Sequence, residues 1–189
     1  MVTGLILLLI SLLFFQIDKL SEYLINYNLL SSKIIIDSIS KKEYIQLLRW
    51  FVSHLSHLNL QDYLISSISL MSQGLVLEKY FNKISKFFFL KLVFLMMILT
   101  SFIFTFLSFF MFKLFEFENY YIVSVCGLSS ILLGLQYIYY YLTTRNFYSS
   151  FLRVFIYIMY FYFIIDSSKL LYHISGIMSG MSIVYLIDF

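Results

Sequence analysis

The chain has 189 residues, 61% hydrophobic and 12% charged, with a mean hydropathy of +0.90. A water-soluble domain carries about twice that charged fraction, so the composition argues for an integral membrane protein. The net charge of +3 is small and spread along the chain, which excludes a nucleic-acid-binding face, and the single Cys126 excludes an intrachain disulfide.

A helix crossing the hydrocarbon core needs about 20 mostly apolar residues. Six stretches meet or approach that requirement, at roughly 2–16, 58–77, 87–112, 120–142, 151–166 and 169–187. The first lacks a basic leader and a small-residue cleavage site, so it reads as a span and not a signal peptide. Unpaired backbone groups are not tolerated in lipid and the apolar residues show no period-two alternation, so all six read as helices. The expected fold is therefore all-α: a polytopic six-helix membrane bundle forming one domain over 1–189. Segment 17–57, between the first two spans, mixes charges with apolar runs such as Ile34-Ile35-Ile36. It reads as a loop with interfacial helical pieces, with Arg49 and Trp50 as interface anchors. Lys79, Lys83, Lys86 and Lys91, then Arg145 and Arg153, favour the second and fourth loops as cytosolic, although the first loop carries basic residues on the opposite side.

Polar groups inside such spans are costly and face the protein interior. In the second span, Asp62, Ser66, Ser69 and Gln73 fall on one helical face, with His54 and His57 in the loop before it. No third ligand accompanies the two histidines, so no metal is expected, and nothing calls for another cofactor. In the fourth span, Cys126, Ser130 and Gly134 recur every four residues, a stripe of small residues with Ser129 beside it and Cys126 as a packing residue. In the sixth, His173, Gly176 and Gly180 share one face.

With six alternating helices, spans two, four and six enter from the same side. Ser129 then lies about 15 Å along its helix and His173 about 6 Å along its own. Tilt is needed to bring them level, and the two glycine-lined faces allow the helices to touch with a serine and a histidine at the contact.

These residues resemble the rhomboid family of intramembrane serine proteases, with some likeness to the eukaryotic rhomboid-related proteases of the secretory pathway over about Arg49 to Glu78. The family's Gly-x-Ser-Gly motif on the fourth helix reads Gly127-Leu128-Ser129-Ser130 here. Its His-x-x-Gly-x-x-x-Gly motif on the sixth reads His173 to Gly180. The second-helix pattern of His, His and Asn followed by Gly-x-x-x-Glu is met by His57, Asp62, Ser66 and Gly74 to Glu78. The resemblance spans about residues 45–187. It implies hydrolysis of peptide bonds in or near transmembrane segments of protein substrates, with Ser129 as nucleophile and His173 as general base. Ser66, Asp62, His57, Gly127 and Ser130 are the candidates around the oxyanion and substrate pocket.

Two departures stand out: Asp62 and Ser66 replace the family's oxyanion-stabilising His and Asn, and Ser130 replaces the Gly after the nucleophile. An ionised Asp62 would repel an oxyanion; a protonated one, or the Ser66 hydroxyl, would donate to it. Those departures keep a catalytically silent rhomboid-like protein that binds membrane clients as an alternative. The aromatic-rich, alanine-free and proline-free composition, read as AT bias, keeps a structural subunit of a larger, organelle-encoded membrane complex as another. The expected location is a multi-pass position in a membrane, of the secretory pathway or of an organelle.

Overall fold

A computed structural model describes residues 2–20, 28–57, 60–83, 87–164 and 169–187. Some side chains within the helices, those of Asp62, Ser69 and Gln73 among them, lie outside the description. The described residues are all-α. Helix α1 is Val2–Leu20, α2 is Ser32–Ser40, and a 3-10 turn at Tyr44–Leu48 leads into α3, Arg49–Leu55. Then α4, Leu60–Ser69, passes through a π-helical turn at Leu70–Gly74 into α5, Leu75–Phe81. The chain continues as α6, Phe88–Phe115, α7, Glu118–Ile122, α8, Ser129–Thr144, α9, Phe147–Ile164, and α10, Leu170–Ile187.

Among the described residues one helix, α6, is long and apolar enough to cross a membrane, with 28 residues and a mean hydropathy of 2.4 over its best window. Shorter apolar stretches run over Phe147–Ile156 and Leu170–Leu186. One face of α6 exposes Phe94, Phe102, Phe106 and Phe110, whereas the opposite face buries Thr100, Ser101, Thr105 and Ser108. The outward face is apolar, and the buried side mixes these hydroxyls with Phe89, Leu92, Val93, Met96, Met97 and Phe104, unlike a helix that turns a polar face to water.

The expected helix over 120–142 is broken. After α7 the chain runs extended, and Val125 exchanges both backbone hydrogen bonds with Leu30, at 2.9 Å each. Gly127 then turns the chain at φ 103°, a conformation that side chains with a Cβ rarely adopt. Helix α8 starts two residues later. Cys126 therefore lies buried in the extended segment and not on a helical stripe with Ser130 and Gly134.

Arg49 is likewise not an interface anchor. Its side chain is buried, donating from Nη1 to the Leu29 carbonyl at 2.7 Å and from Nε to Gln46 at 2.6 Å, which ties α3 to the chain before α2. Trp50 is half-buried, edge-on to Phe102 with ring centroids 6.2 Å apart.

Backbone meets backbone where α8 packs on α10. The Ser130 backbone lies against Gly176 and the Gly134 backbone against Gly180. Both contacts advance by four residues in the same direction, so the two helices run parallel. A Cβ added at Gly180 would stand 2.5 Å from the Gly134 carbonyl oxygen, a backbone atom that cannot step aside.

Gly180→Ala is therefore expected to cost about 1–3 kcal/mol despite alanine's better helix propensity. At Gly74 the added Cβ would meet the movable end of Leu70 at 2.9 Å, and Gly74→Ala should be nearly neutral. Thermal unfolding of the two variants in one detergent reads the difference; equal stabilities would contradict the backbone contact.

Candidate functional site

The parallel glycine seam sets the height of two side chains. Ser129 is the first residue of α8, and His173 is the fourth of α10. Both therefore sit at the same end of the seam, and Ser129 Oγ lies 3.1 Å from His173 Nε2. The break before α8 removes the depth mismatch that an unbroken helix from residue 120 would have imposed, so no large tilt is needed. With its proton on Nδ1, the neutral imidazole accepts the serine hydroxyl proton at Nε2. Ser129 is partly exposed and His173 is 7% exposed, so the hydroxyl reaches the surface of the chain while most of the imidazole is enclosed.

The first backbone N–H groups of a helix have no acceptor within that helix. In α8 the earliest internal bond runs from Leu132 N–H to the Leu128 carbonyl at 3.0 Å. The amides around Ser129 thus belong to the positive end of a 16-residue helix, next to the hydroxyl.

Ser66 is buried on α4, which packs against α8. Ser130 is fully buried behind Ser129. Among the described residues, neither hydroxyl has a hydrogen-bond partner. His57 is buried just before α4, its ring edge-on to Tyr63 at 5.4 Å. The Asp62 side chain lies outside the described residues. Gly134, Gly176 and Gly180 form the seam itself. Among the described residues there is no group of three or more His, Cys, Asp and Glu side chains placed to share a metal ion.

Sequence reasoning missed a network behind the pair. His54, expected to lie in a loop, is on α3 and fully buried. Its Nε2 is 3.1 Å from the Met97 carbonyl, which can only accept, so Nε2 carries the proton. Ser101 Oγ spends its own proton on the Trp50 carbonyl at 3.0 Å and accepts from the same Nε2 at 2.9 Å. In the neutral ring Nδ1 is the acceptor, and the Tyr172 hydroxyl meets it at 2.5 Å while also lying 3.1 Å from the Gly127 carbonyl. A histidine before the polar face of the second span carries no periodic signal, and neither does a tyrosine beside the expected base. Only the fold reveals their contact.

No protein-family model matches the chain, and no curated protein matches it.

Helix α3, with seven residues, is too short to cross a membrane. Burial there lowers the His54 pKa to about 4, against the opposing pull of the Met97 and Gly127 carbonyls, which favour the protonated ring. The unfolded chain therefore binds a proton that the folded chain does not between pH 6.5 and about 4. Stability is complete above pH 6.5 and falls by roughly 1.4 kcal/mol per pH unit as the pH drops through that window. Unfolding midpoints measured from pH 7 to 4 should decline, and His54→Gln should flatten the decline. An unchanged slope in the variant would contradict the assignment.

Proposed function

We propose that this chain is a rhomboid-type intramembrane serine protease that cleaves substrate proteins in or near their transmembrane segments. The observation that carries the reading is the Ser129 Oγ to His173 Nε2 distance of 3.1 Å at the head of a glycine seam.

The proposed spans are α1, the continuous stretch Leu60 to Phe81, α6, α8, α9 and α10. Two features support this arrangement. The first is α6, with an apolar outward face and hydroxyls on its buried side. The second is the segment before Ser129. At 16 residues, α8 is about 24 Å long, less than the ~30 Å hydrocarbon core. The chain preceding it is non-helical, and Val125, Cys126 and Leu128 are at most 2% exposed. Irregular backbone at membrane depth is tolerated only where protein covers it or it lines a wet cavity. That arrangement suits a serine held below the membrane surface and reached by water.

In the proposed reaction the Ser129 hydroxyl oxygen attacks the scissile carbonyl carbon as its proton passes to His173 Nε2. The tetrahedral oxyanion is held by amides at the head of α8 and by the Ser66 hydroxyl. Collapse breaks the C–N bond, and the imidazolium returns the proton to the leaving amine. Water then adds to the acyl-enzyme with His173 again as base, releasing the acid product and free Ser129. The proposed reaction uses a dyad, Ser129 and His173.

Purified protein reconstituted in liposomes with a single-span substrate should release two fragments. Ser129→Ala and His173→Ala should each lower the rate by at least ~10³-fold. Ser66→Ala should lower it by about 10²-fold as one oxyanion donor is lost. Cleavage by Ser129→Ala equal to wild type would overturn the reading.

A second reading, a silent rhomboid-like protein that binds membrane clients, is favoured by the short Ser66 hydroxyl standing where the family has an amide. Absence of cleavage together with stable co-purification of single-span clients would select it.

A further inference from the structure

We infer that Tyr172 is a positioning residue: its buried hydroxyl bonds the Gly127 carbonyl and fixes the peptide that presents Leu128 and Ser129 to a substrate. The inference rests on the serine-protease reading of the Ser129–His173 pair.

Gly127 is the pivot on which the extended chain turns into α8. With φ at 103° and no Cβ, its own backbone restrains it weakly. Contacts on both sides hold it. Its N–H donates to the Ser53 carbonyl of α3 at 2.9 Å, and its carbonyl accepts from the Tyr172 hydroxyl of α10 at 3.1 Å. The Gly127–Leu128 peptide is planar and trans, so a carbonyl tied toward Tyr172 directs the Leu128 N–H the opposite way. That amide belongs to the residue immediately before the nucleophile, at the head of the helix where a developing oxyanion would be held. One hydroxyl therefore sets the direction of one amide.

The tyrosine itself has little freedom. It is 0% exposed, stacked on His54 at 5.6 Å and 18°, and met edge-on by Phe104 at 5.5 Å. The hydroxyl has one proton, shared in a three-centre bond: neutral His54 accepts at Nδ1 at 2.5 Å and the Gly127 carbonyl at 3.1 Å, so His54 anchors the tyrosine to α3 and, through Met97 and Ser101, to α6. Tyr172 is also the chain neighbour of His173. The same turn of α10 thus carries the general base and the tether of the nucleophile loop, so both partners of the dyad are referred to one rigid element. Phenylalanine would keep every ring contact and remove only the hydroxyl.

The test compares the full chain with its Tyr172→Phe variant in one detergent. Amide hydrogen exchange over residues 126–130 should rise about tenfold in the variant, while the second half of α8 is unchanged. In cleavage of a single-span substrate, kcat should fall about tenfold with KM within about twofold, the mark of an interaction used in the transition state. Unchanged exchange at 126–130 overturns the inference, and so does a rise spread over the whole chain, which marks a purely structural role. If the wild type cleaves and the variant keeps its kcat, the inference fails and the protease reading stands. If the wild type cleaves nothing yet exchange rises locally, the protease reading fails and the tether stands. Should the variant not fold, the wild type alone decides by NMR. A Tyr172 hydroxyl proton protected from solvent and close to Gly127 is expected, and a freely exchanging one overturns the inference.

Discussion

The direct contact of backbone with backbone between α8 and α10 is the constraint on which the site depends. At Gly134, Gly176 and Gly180 there is room for hydrogen and nothing larger, so the two helices approach as closely as main chains can. In the proposed bilayer setting, helices gain nothing from hiding apolar surface from one another. Dispersion across a close, well-fitted contact is what holds them together. The seam fixes direction and register together. The Ser130 backbone is pressed against Gly176, and at that end of the seam Ser129 and His173 meet at 3.1 Å.

Behind the seam the interior is ordered by hydroxyl groups. Thr100 of α6 donates to Ser179 of α10 at 3.1 Å, and Ser179 donates to the Ser175 carbonyl at 2.7 Å. His54, Ser101, Tyr172 and Gly127 extend the same pattern to the turn before α8. Each bond is worth only about 1 kcal/mol net, but a buried donor left without a partner costs about 1–3 kcal/mol. The network therefore selects one arrangement of α3, α6, α8 and α10 more than it adds stability. Among the described residues, the buried hydroxyls of Ser66 and Ser130 stand outside that bonded pattern, as do those of Ser32, Ser53, Ser56, Ser108 and Tyr137.

Much of the helical pattern was legible because long apolar runs can do little else. The stretches expected at 87–112 and 169–187 correspond to α6 and α10 within a few residues. That Ser129 and His173 share one end followed from parity and from glycine spacing alone. The start of α8 was not legible. Val123, Ser124, Val125 and Cys126 are as apolar as a helix would require, and only the pairing of Val125 with the distant Leu30 and the turn at Gly127 stop the helix there. Arg49 was misread for a related reason: a basic residue beside a tryptophan looks like an interface pair unless one knows that the Leu29 carbonyl lies within its reach. His54 and Tyr172 were opaque because their meaning is a contact across 118 positions of sequence.

The central claim is that the seam delivers a serine hydroxyl to an imidazole and makes it nucleophilic. Labelling by a fluorophosphonate probe, mapped by mass spectrometry, tests it without any knowledge of the substrate. The account predicts stoichiometric modification at Ser129, abolished in His173→Ala and sharply slowed when Gly176→Leu forces the helices apart. Modification scattered over other serines, or labelling of Ser129 that is indifferent to His173, would contradict it.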